Sequence, residues 1–311
     1  MKTIAIGTDI GGSHTSCVAV DFQKQSVIQE SFATQAVNNQ ASADEILNNW
    51  VTTLSKSIAK IDRTKLAGIG FAMPGPFDYA GGIALFTKDV AKYQNLYGIN
   101  VSKRIRELLA LPVDFDLRYM NDATAFGVGE AWLGKASAVK RSISITLGTG
   151  LGSAFVDNGI PVVEGNFVPR MGSLWHLPFN NDIADASFST RWFIKRYARI
   201  TGNALVGVKQ LAERASMDPL AKDVFVEFGN NLASFLGPWI NKFAADLLVI
   251  GGKVSAAYNL FGPSLEESLE KQHIETAIHV SKLKEDAASI GSARLFEEKF
   301  WNQVKPLLSK M

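Results

Sequence analysis

One pattern occurs twice in this chain and restricts its fold more than any other feature. Thr3 to Asp9 is a short, apolar, β-branched run; Ile10-Gly11-Gly12-Ser13 follows, and a second strand-like run covers Thr15 to Val20. From Ser142 the same order returns: Ser-Ile-Ser-Ile-Thr, then Gly148-Thr149-Gly150-Leu151-Gly152, then Ser-Ala-Phe-Val, closed by the turn pair Asn158-Gly159. β-branched runs separated by glycine read as paired strands. The later run is an internal echo of residues 3 to 20, and the first section, with three meander strands, a helix and another strand, reads as mixed α/β rather than a simple alternating βαβ series. At 311 residues the chain also exceeds the size, about 250 residues, beyond which one core tends to divide. Two domains are expected.

The intervening stretches fill in the elements. A third strand is predicted near Ser26 to Ala33, and Ser42-Ala43-Asp44-Glu45 opens a helix with a capping box, continued by apolar residues to Ile58. Leu66 to Met73 reads as a buried strand, Val101 to Leu109 as a helix, Val113 to Tyr119 as a strand, and Asn121-Asp122 as the start of a further helix. Beyond the second glycine loop the pattern is mostly helical, over Phe188 to Ile200, Pro219 to Phe243, Ala256 to Lys271 and Ile290 to Trp301, with a strand at Leu247 to Ile250. Trp132 and Trp239 sit among apolar neighbours and are assigned to the core; Lys103, Arg104 and Arg106 are assigned to a solvated helix face.

Charge and cysteine content exclude several classes. A formal net charge of +2 without a basic block argues against nucleic acid as the partner. Cys17 stands alone, so no internal disulfide forms, and four His with one Cys cannot make a cysteine-rich zinc site. Asp9 interrupts the apolar N-terminus before it reaches signal-peptide length, and no stretch of about 20 apolar residues follows. A cytoplasmic protein with no membrane span is expected.

The glycine loops carry the candidate chemistry. A dinucleotide fingerprint needs a helix directly after its glycines, whereas here a strand follows both times. Glycine between paired strands either merely turns a hairpin or lets backbone N–H groups approach an anion with no Cβ in the way. Gly11, Gly12, Ser13 and His14 in the first loop, with Gly148, Thr149, Gly150 and Gly152 in the second, are candidates to hold phosphates. Asp9 either bonds the turn backbone or serves as a magnesium ligand through water, since Mg²⁺ is bound by few carboxylates and keeps much of its hydration. Asn121 and Asp122 are favoured N-caps; alternatively Asp122 is a general base toward an alcohol attacking a terminal phosphate.

Taken in order, Asp9-Ile10-Gly11-Gly12-Ser13, Pro74-Gly75-Pro76-Phe77-Asp78, Asn121-Asp122, Gly148-Thr149-Gly150-Leu151-Gly152, Leu248-Val249-Ile250-Gly251-Gly252 and Gly291-Ser292-Ala293 resemble the ROK family of sugar kinases and related repressors over nearly the whole chain. That resemblance implies an actin-like, ribonuclease-H-like pair of α/β domains with ATP and a sugar meeting in a central cleft. The smaller domain would comprise 1–120 with about 297–311, the larger 121–296. Asp122 would be the general base, Asn121 would bond a neighbouring hydroxyl, Asp9 would organise Mg²⁺, and Gly251, Gly252 and Lys253 would border the adenosine. Gly75 and Asn95 would touch the sugar. A small-molecule sugar is then the expected partner, with a homodimer left open.

The sequence also departs from the family. Where the family carries Gly-Glu-x-Gly-His before a cysteine-rich zinc loop, this chain has Gly172-Ser173-Leu174-Trp175-His176. The sugar-contacting glutamate is replaced by Ser173, no zinc site is expected, and His176 is released from ligand duty for a sugar or a structural role. Asp185 lies four residues before Ser189, the position that aligns with a second family glutamate, and would keep one contact to a sugar hydroxyl. Polyphosphate-dependent glucokinases resemble the family and also lack the zinc loop, so polyphosphate is an alternative donor. Two further readings remain: a non-catalytic sugar-binding member, and a repressor, against which the first strand at Thr3 leaves no room for a preceding DNA-binding domain.

Overall fold

The computed structural model describes residues 2–88, 92–284 and 286–311. In chain order its main elements are β1 (Ile4–Ile10), β2 (His14–Asp21), β3 (Ser26–Ala36), α1 (Ala43–Ile58), β4 (Leu66–Met73), α2 (Val101–Leu108), β5 (Leu117–Asn121), α3 (Asp122–Leu133), β6 (Arg141–Leu147) and β7 (Leu151–Asp157). They continue with α4 (Thr190–Thr201), α5 (Val208–Arg214), α6 (Pro219–Phe243), β8 (Leu247–Gly251), α7 (Tyr258–Lys271), β9 (Ala277–Val280), α8 (Asp286–Ala293) and α9 (Glu298–Val304).

Two compact units result, one of Met1–Ser137, Gly159–Pro161 and Glu285–Met311, the other of Ala138–Asn158 and Val162–Lys284. Helices α3 and α8, grouped with the second domain in the sequence reading, pack within the first unit. In that unit the strands stand in the order β3-β2-β1-β4-β5. β1 and β2 are antiparallel across the first glycine turn, while β4 is parallel to β1, and β5 to β4. In the second unit the order is β7-β6-β8-β9, again an antiparallel hairpin about a glycine turn followed by parallel neighbours. The sequence echo is therefore an echo of topology: β2-β1-β4-β5 matches β7-β6-β8-β9 strand for strand.

Local signals explain most boundaries. The Ser42 hydroxyl accepts from Glu45 N–H at 3.3 Å to start α1, and Asp218 caps α6 ahead of Pro219. The predicted strand at Val113 to Tyr119 is displaced: Phe115 N–H donates to Pro112 C=O in a turn, and pairing with β4 begins only at Leu117. The predicted helix over Ile290 to Trp301 breaks into α8, a 3₁₀ turn at Arg294–Phe296, and α9. Helix α5 and strand β9 are short elements for which the sequence reading makes no prediction, although Val208, Leu211 and Ala215 bury one face of α5 and its C-terminus.

Helix α8 is the keystone of the first unit. Its described residues from Ala287 to Ala293 are all buried. It meets β1 at Gly7, where an added Cβ would fall 1.8 Å from Ser289 C=O, and β4 at Gly70, where it would fall 2.0 Å from Ser292 C=O. Gly7 and Gly70 are register partners, so a side-chain-free strip of sheet receives the helix. Against α3 the same logic recurs: a Cβ on Gly291 would lie 1.9 Å from Ala125 C=O. The second unit instead packs aromatic rings from α4, α6 and α7, with Phe193 and Phe228 centroids 4.5 Å apart. Trp132 is buried and Trp239 partly buried against this second core. Arg104 pairs with Asp44 at 2.6 Å on the surface of the first unit.

Candidate active site

In the first unit the predicted residues gather at one edge of the sheet. β1, β4 and β5 run parallel, and their carboxyl ends bring together Asp9, paired in register with Ala72, and Asn121, paired with Met73. Open α/β sheets bind ligands beyond the carboxyl ends of their strands. Asp122 follows Asn121 as the first residue of α3. Asn121 is the cap, its Oδ1 accepting from Thr124 N–H at 3.1 Å. Its amide donates to the Tyr79 hydroxyl at 3.3 Å and to Asp122 Oδ1 at 3.1 Å. Ala123 N–H reaches the same Oδ1 at 2.8 Å. These bonds converge on one carboxylate oxygen, Oδ1.

Desolvation raises the Asp122 pKa above the usual carboxylate range, opposed by the Ala123 N–H, the Lys92 charge and the Asn121 amide. Its charge in turn raises the pKa of the buried Tyr79 hydroxyl, after desolvation. Burial thus favours the neutral form of a side chain whose orientation is fixed by the Asn121 and Ala123 hydrogen bonds. Gly75 lies where an added Cβ would touch only the Tyr79 hydroxyl, at 3.5 Å, so its face toward this cluster is open.

The first glycine turn is closed by Gly11 N–H donating to His14 C=O at 3.0 Å, and Ser13 Oγ is 3.0 Å from His14 Nδ1. A strap fixes it from outside. The Tyr93 hydroxyl donates to Gly11 C=O at 2.6 Å, the Asn39 amide to Gly12 C=O, and Tyr93 N–H to Asn39 C=O at 3.1 Å. Asn95 spends its amide on the Gln40 and Ala41 carbonyls, at 3.2 and 2.8 Å, so its role in the structure is to fasten this strap. The Asp9 charge raises the pKa of Tyr93 and of Cys17, behind desolvation in both, which places its field at the turn.

In the second unit Gly148 N–H donates to Gly150 C=O at 3.1 Å. Gly251 pairs with Thr146, and an added Cβ on Gly252, at φ +79°, would meet Leu147 C=O at 2.4 Å. The second glycine turn and Gly251-Gly252 are therefore neighbours, with Lys253 exposed beside them. Thr190 N–H donates to Gly148 C=O at 2.8 Å, so the N-terminus of α4 abuts the turn, a feature the sequence reading missed because 42 residues separate the two. Helix N-termini favour anions.

Asp185 does something the sequence did not suggest. Its Oδ1 accepts from Leu151 N–H at 2.8 Å and its Oδ2 pairs with Arg191 at 2.7 Å, which ties it to the glycine turn. Asp185 N–H in turn donates to Trp175 C=O at 3.0 Å. Ser173 and His176 stand on the same segment, after Met171 and Gly172, both at positive φ. Desolvation and the Arg170 charge lower the His176 pKa, which leaves a neutral imidazole able both to donate to and accept from hydroxyls. Among the described residues no group of three or more His, Cys, Asp or Glu is placed to hold a metal ion, and no helix is long and apolar enough to cross a membrane.

Residues 5–299 match the ROK family. The chain belongs to the ROK family. An N-acetyl-D-glucosamine kinase of Pectobacterium carotovorum is 27% identical over 269 residues, 80% of this chain and 83% of that one. A xylose repressor of Caldicellulosiruptor bescii is 24% identical over 319 residues, 92% of this chain and 76% of that one. Among solved structures, a ROK family glucokinase from Streptomyces griseus in complex with glucose and AMPPNP aligns with a TM-score of 0.74 at 20% identity, covering 94% of this chain and 98% of that one. The two mixed α/β units are thus the actin-like ATPase fold of ROK proteins, as the resemblance implies.

Proposed function

We propose that this ROK protein is an ATP-dependent sugar kinase acting on a hexose. The observation that carries the reading is Asp122, a desolvated carboxylate with Oδ1 held by Asn121 and Ala123. Similarity to an N-acetyl-D-glucosamine kinase supports it.

In this reading the sugar hydroxyl gives its proton to the Asp122 carboxylate as its oxygen bonds to the γ-phosphorus. The bond from that phosphorus to the β,γ-bridging oxygen breaks, and its electron pair leaves on ADP. Asn121, Asn95, Ser173, His176 and Gly75 present hydroxyl-compatible groups or an open face to the sugar. Gly11 to His14 and Gly148 to Gly152 supply phosphate-binding N–H groups, and Gly251, Gly252 and Lys253 border the adenosine. Asp9 is the hard oxygen donor that would hold Mg²⁺ through water; a single carboxylate suits a cation bound mainly by phosphate and water. Bound Mg²⁺ neutralises charge on the β- and γ-phosphates.

Asp185 enters this scheme through the second turn. Asp185→Ala removes a charge-assisted hydrogen bond worth about 1.5–3 kcal/mol from Leu151 N–H and is expected to raise the KM for ATP about tenfold, with a smaller change in kcat. Steady-state kinetics with ATP varied at saturating sugar check this.

The functional test is ADP release with Mg²⁺ and ATP over hexoses, N-acetylated amino sugars and β-glucosides, repeated with polyphosphate as donor. Sugar-dependent turnover is the expected result, and the accepted sugar defines what Ser173 has been adapted to. A second reading, a sugar-binding protein without turnover, is favoured by Ser173 in place of the family glutamate and by similarity to a xylose repressor. Calorimetric sugar binding with no ADP or phosphosugar formed would select it.

A further inference from the structure

Lys92 is the charged side chain at the first glycine turn that the scheme above leaves unused. An ideal Cβ built on Gly12 would fall 2.8 Å from Lys92 Cε, 3.1 Å from Cδ and 3.2 Å from Nζ. The lysine stem therefore lies along the face of Gly12 that only a hydrogen leaves open. Lys92 immediately precedes Tyr93, whose hydroxyl bonds Gly11 C=O at 2.6 Å, so the strap that fixes the turn also fixes the base of this side chain. The Lys92 charge acts on the Asp122 carboxylate and favours its ionised form. The lysine ammonium offers three N–H donors and no acceptor.

A cation with this placement serves two neighbours at once: the backbone donors of a phosphate-binding turn and the base that receives the hydroxyl proton. Phosphoryl transfer is catalysed almost entirely by positioning and by neutralising charge on the moving group. We propose that Lys92 is a catalytic residue whose ammonium binds the terminal phosphate of the donor over Gly12. A side chain at Gly12 would displace the end of the lysine from this position. The proposal rests on the kinase reading for its catalytic half, while its binding half stands on the turn alone.

The experiment compares wild type, Lys92→Met and Lys92→Arg as full-length proteins, each shown to be folded by its melting curve. Calorimetry measures AMPPNP and ADP binding in Mg²⁺, since their difference reports contact with the terminal phosphate, and the sugar panel measures kcat. Lys92→Met is expected to lose about tenfold or more of the preference for AMPPNP over ADP, with ADP affinity held, and about 10²-fold in kcat. Lys92→Arg, which keeps the charge, is expected to recover part of both. Retention of the AMPPNP preference in Lys92→Met overturns the proposal, whatever the kinetics. Wild-type protein that is silent on every sugar overturns the kinase reading; a Lys92-dependent AMPPNP preference then still supports the binding site. Wild-type protein that binds neither nucleotide overturns both.

Discussion

Asp122→Asn is expected to lower kcat/KM for the sugar by about 10³, within the range that general-base catalysis contributes, while sugar affinity measured by calorimetry changes little. Asparagine keeps the shape and one acceptor oxygen for Ala123 N–H, so the cap of α3 survives and only the proton-accepting function is lost. The same substitution has a second expected effect, on stability. Burial raises the folded-state pKa of Asp122 above its value of about 3.9 in an unfolded chain. Between those two values the native state binds more protons than the unfolded state, so the Asp122 contribution to stability falls as pH rises through that window. Above it the cost of a buried charge is constant and present in full. The variant should therefore melt at a higher temperature than wild type at pH 7, and the difference should vanish as pH falls below about 4. An unchanged kcat/KM would remove Asp122 from the reaction; a lower melting temperature at pH 7 would show that its hydrogen bonds outweigh its desolvation.

Gly291→Ala is expected to destabilise the protein by about 3 kcal/mol or more, near the upper end of what overpacking costs. The added methyl would meet Ala125 C=O at 1.9 Å and Gly129 N at 2.8 Å, and these backbone atoms belong to a helix that cannot yield without leaving the sheet. At roughly 2–4 °C per kcal/mol the melting temperature should drop by about 6–12 °C. Gly207→Ala is the control: its neighbourhood holds nothing within 4 Å of an added Cβ and its φ lies in the extended region, so no comparable loss is expected. A melting temperature for Gly291→Ala equal to that of the control would mean that α8 and α3 can separate without loss.

How far the sequence could be read depended on the range of the interaction. The glycine turns, the Ser42 cap and the Asn121 cap are local signals, and each stands where the residues indicate. The strand β5 was misplaced because Val113 is β-branched yet follows Pro112, whose turn with Phe115 postpones pairing until Leu117. Lys92 was invisible because 80 residues separate it from Gly12, and nothing in Lys92-Tyr93-Gln94-Asn95 reveals that the segment straps another loop. Asp185 has the composition of a sugar ligand, but its geometry is set by Leu151 N–H and Arg191, which no spacing rule connects to it. In the same way α8 looks like an ordinary stretch of small residues; only the matching glycines on β1, β4 and α3 explain why it contains them.

The position of α8 in the chain sets the order in which the protein can be made. The first sheet is synthesised early, yet the helix that fills its glycine strip begins at Asp286, after every residue of the second unit has left the ribosome. N-terminal domains usually fold first during synthesis, but here the first unit cannot be completed until the last part of the chain is made. The second unit has all its residues by Lys284 and can close on itself, while β1 to β5 wait, with an apolar and glycine-lined face exposed, for the last part of the chain to arrive.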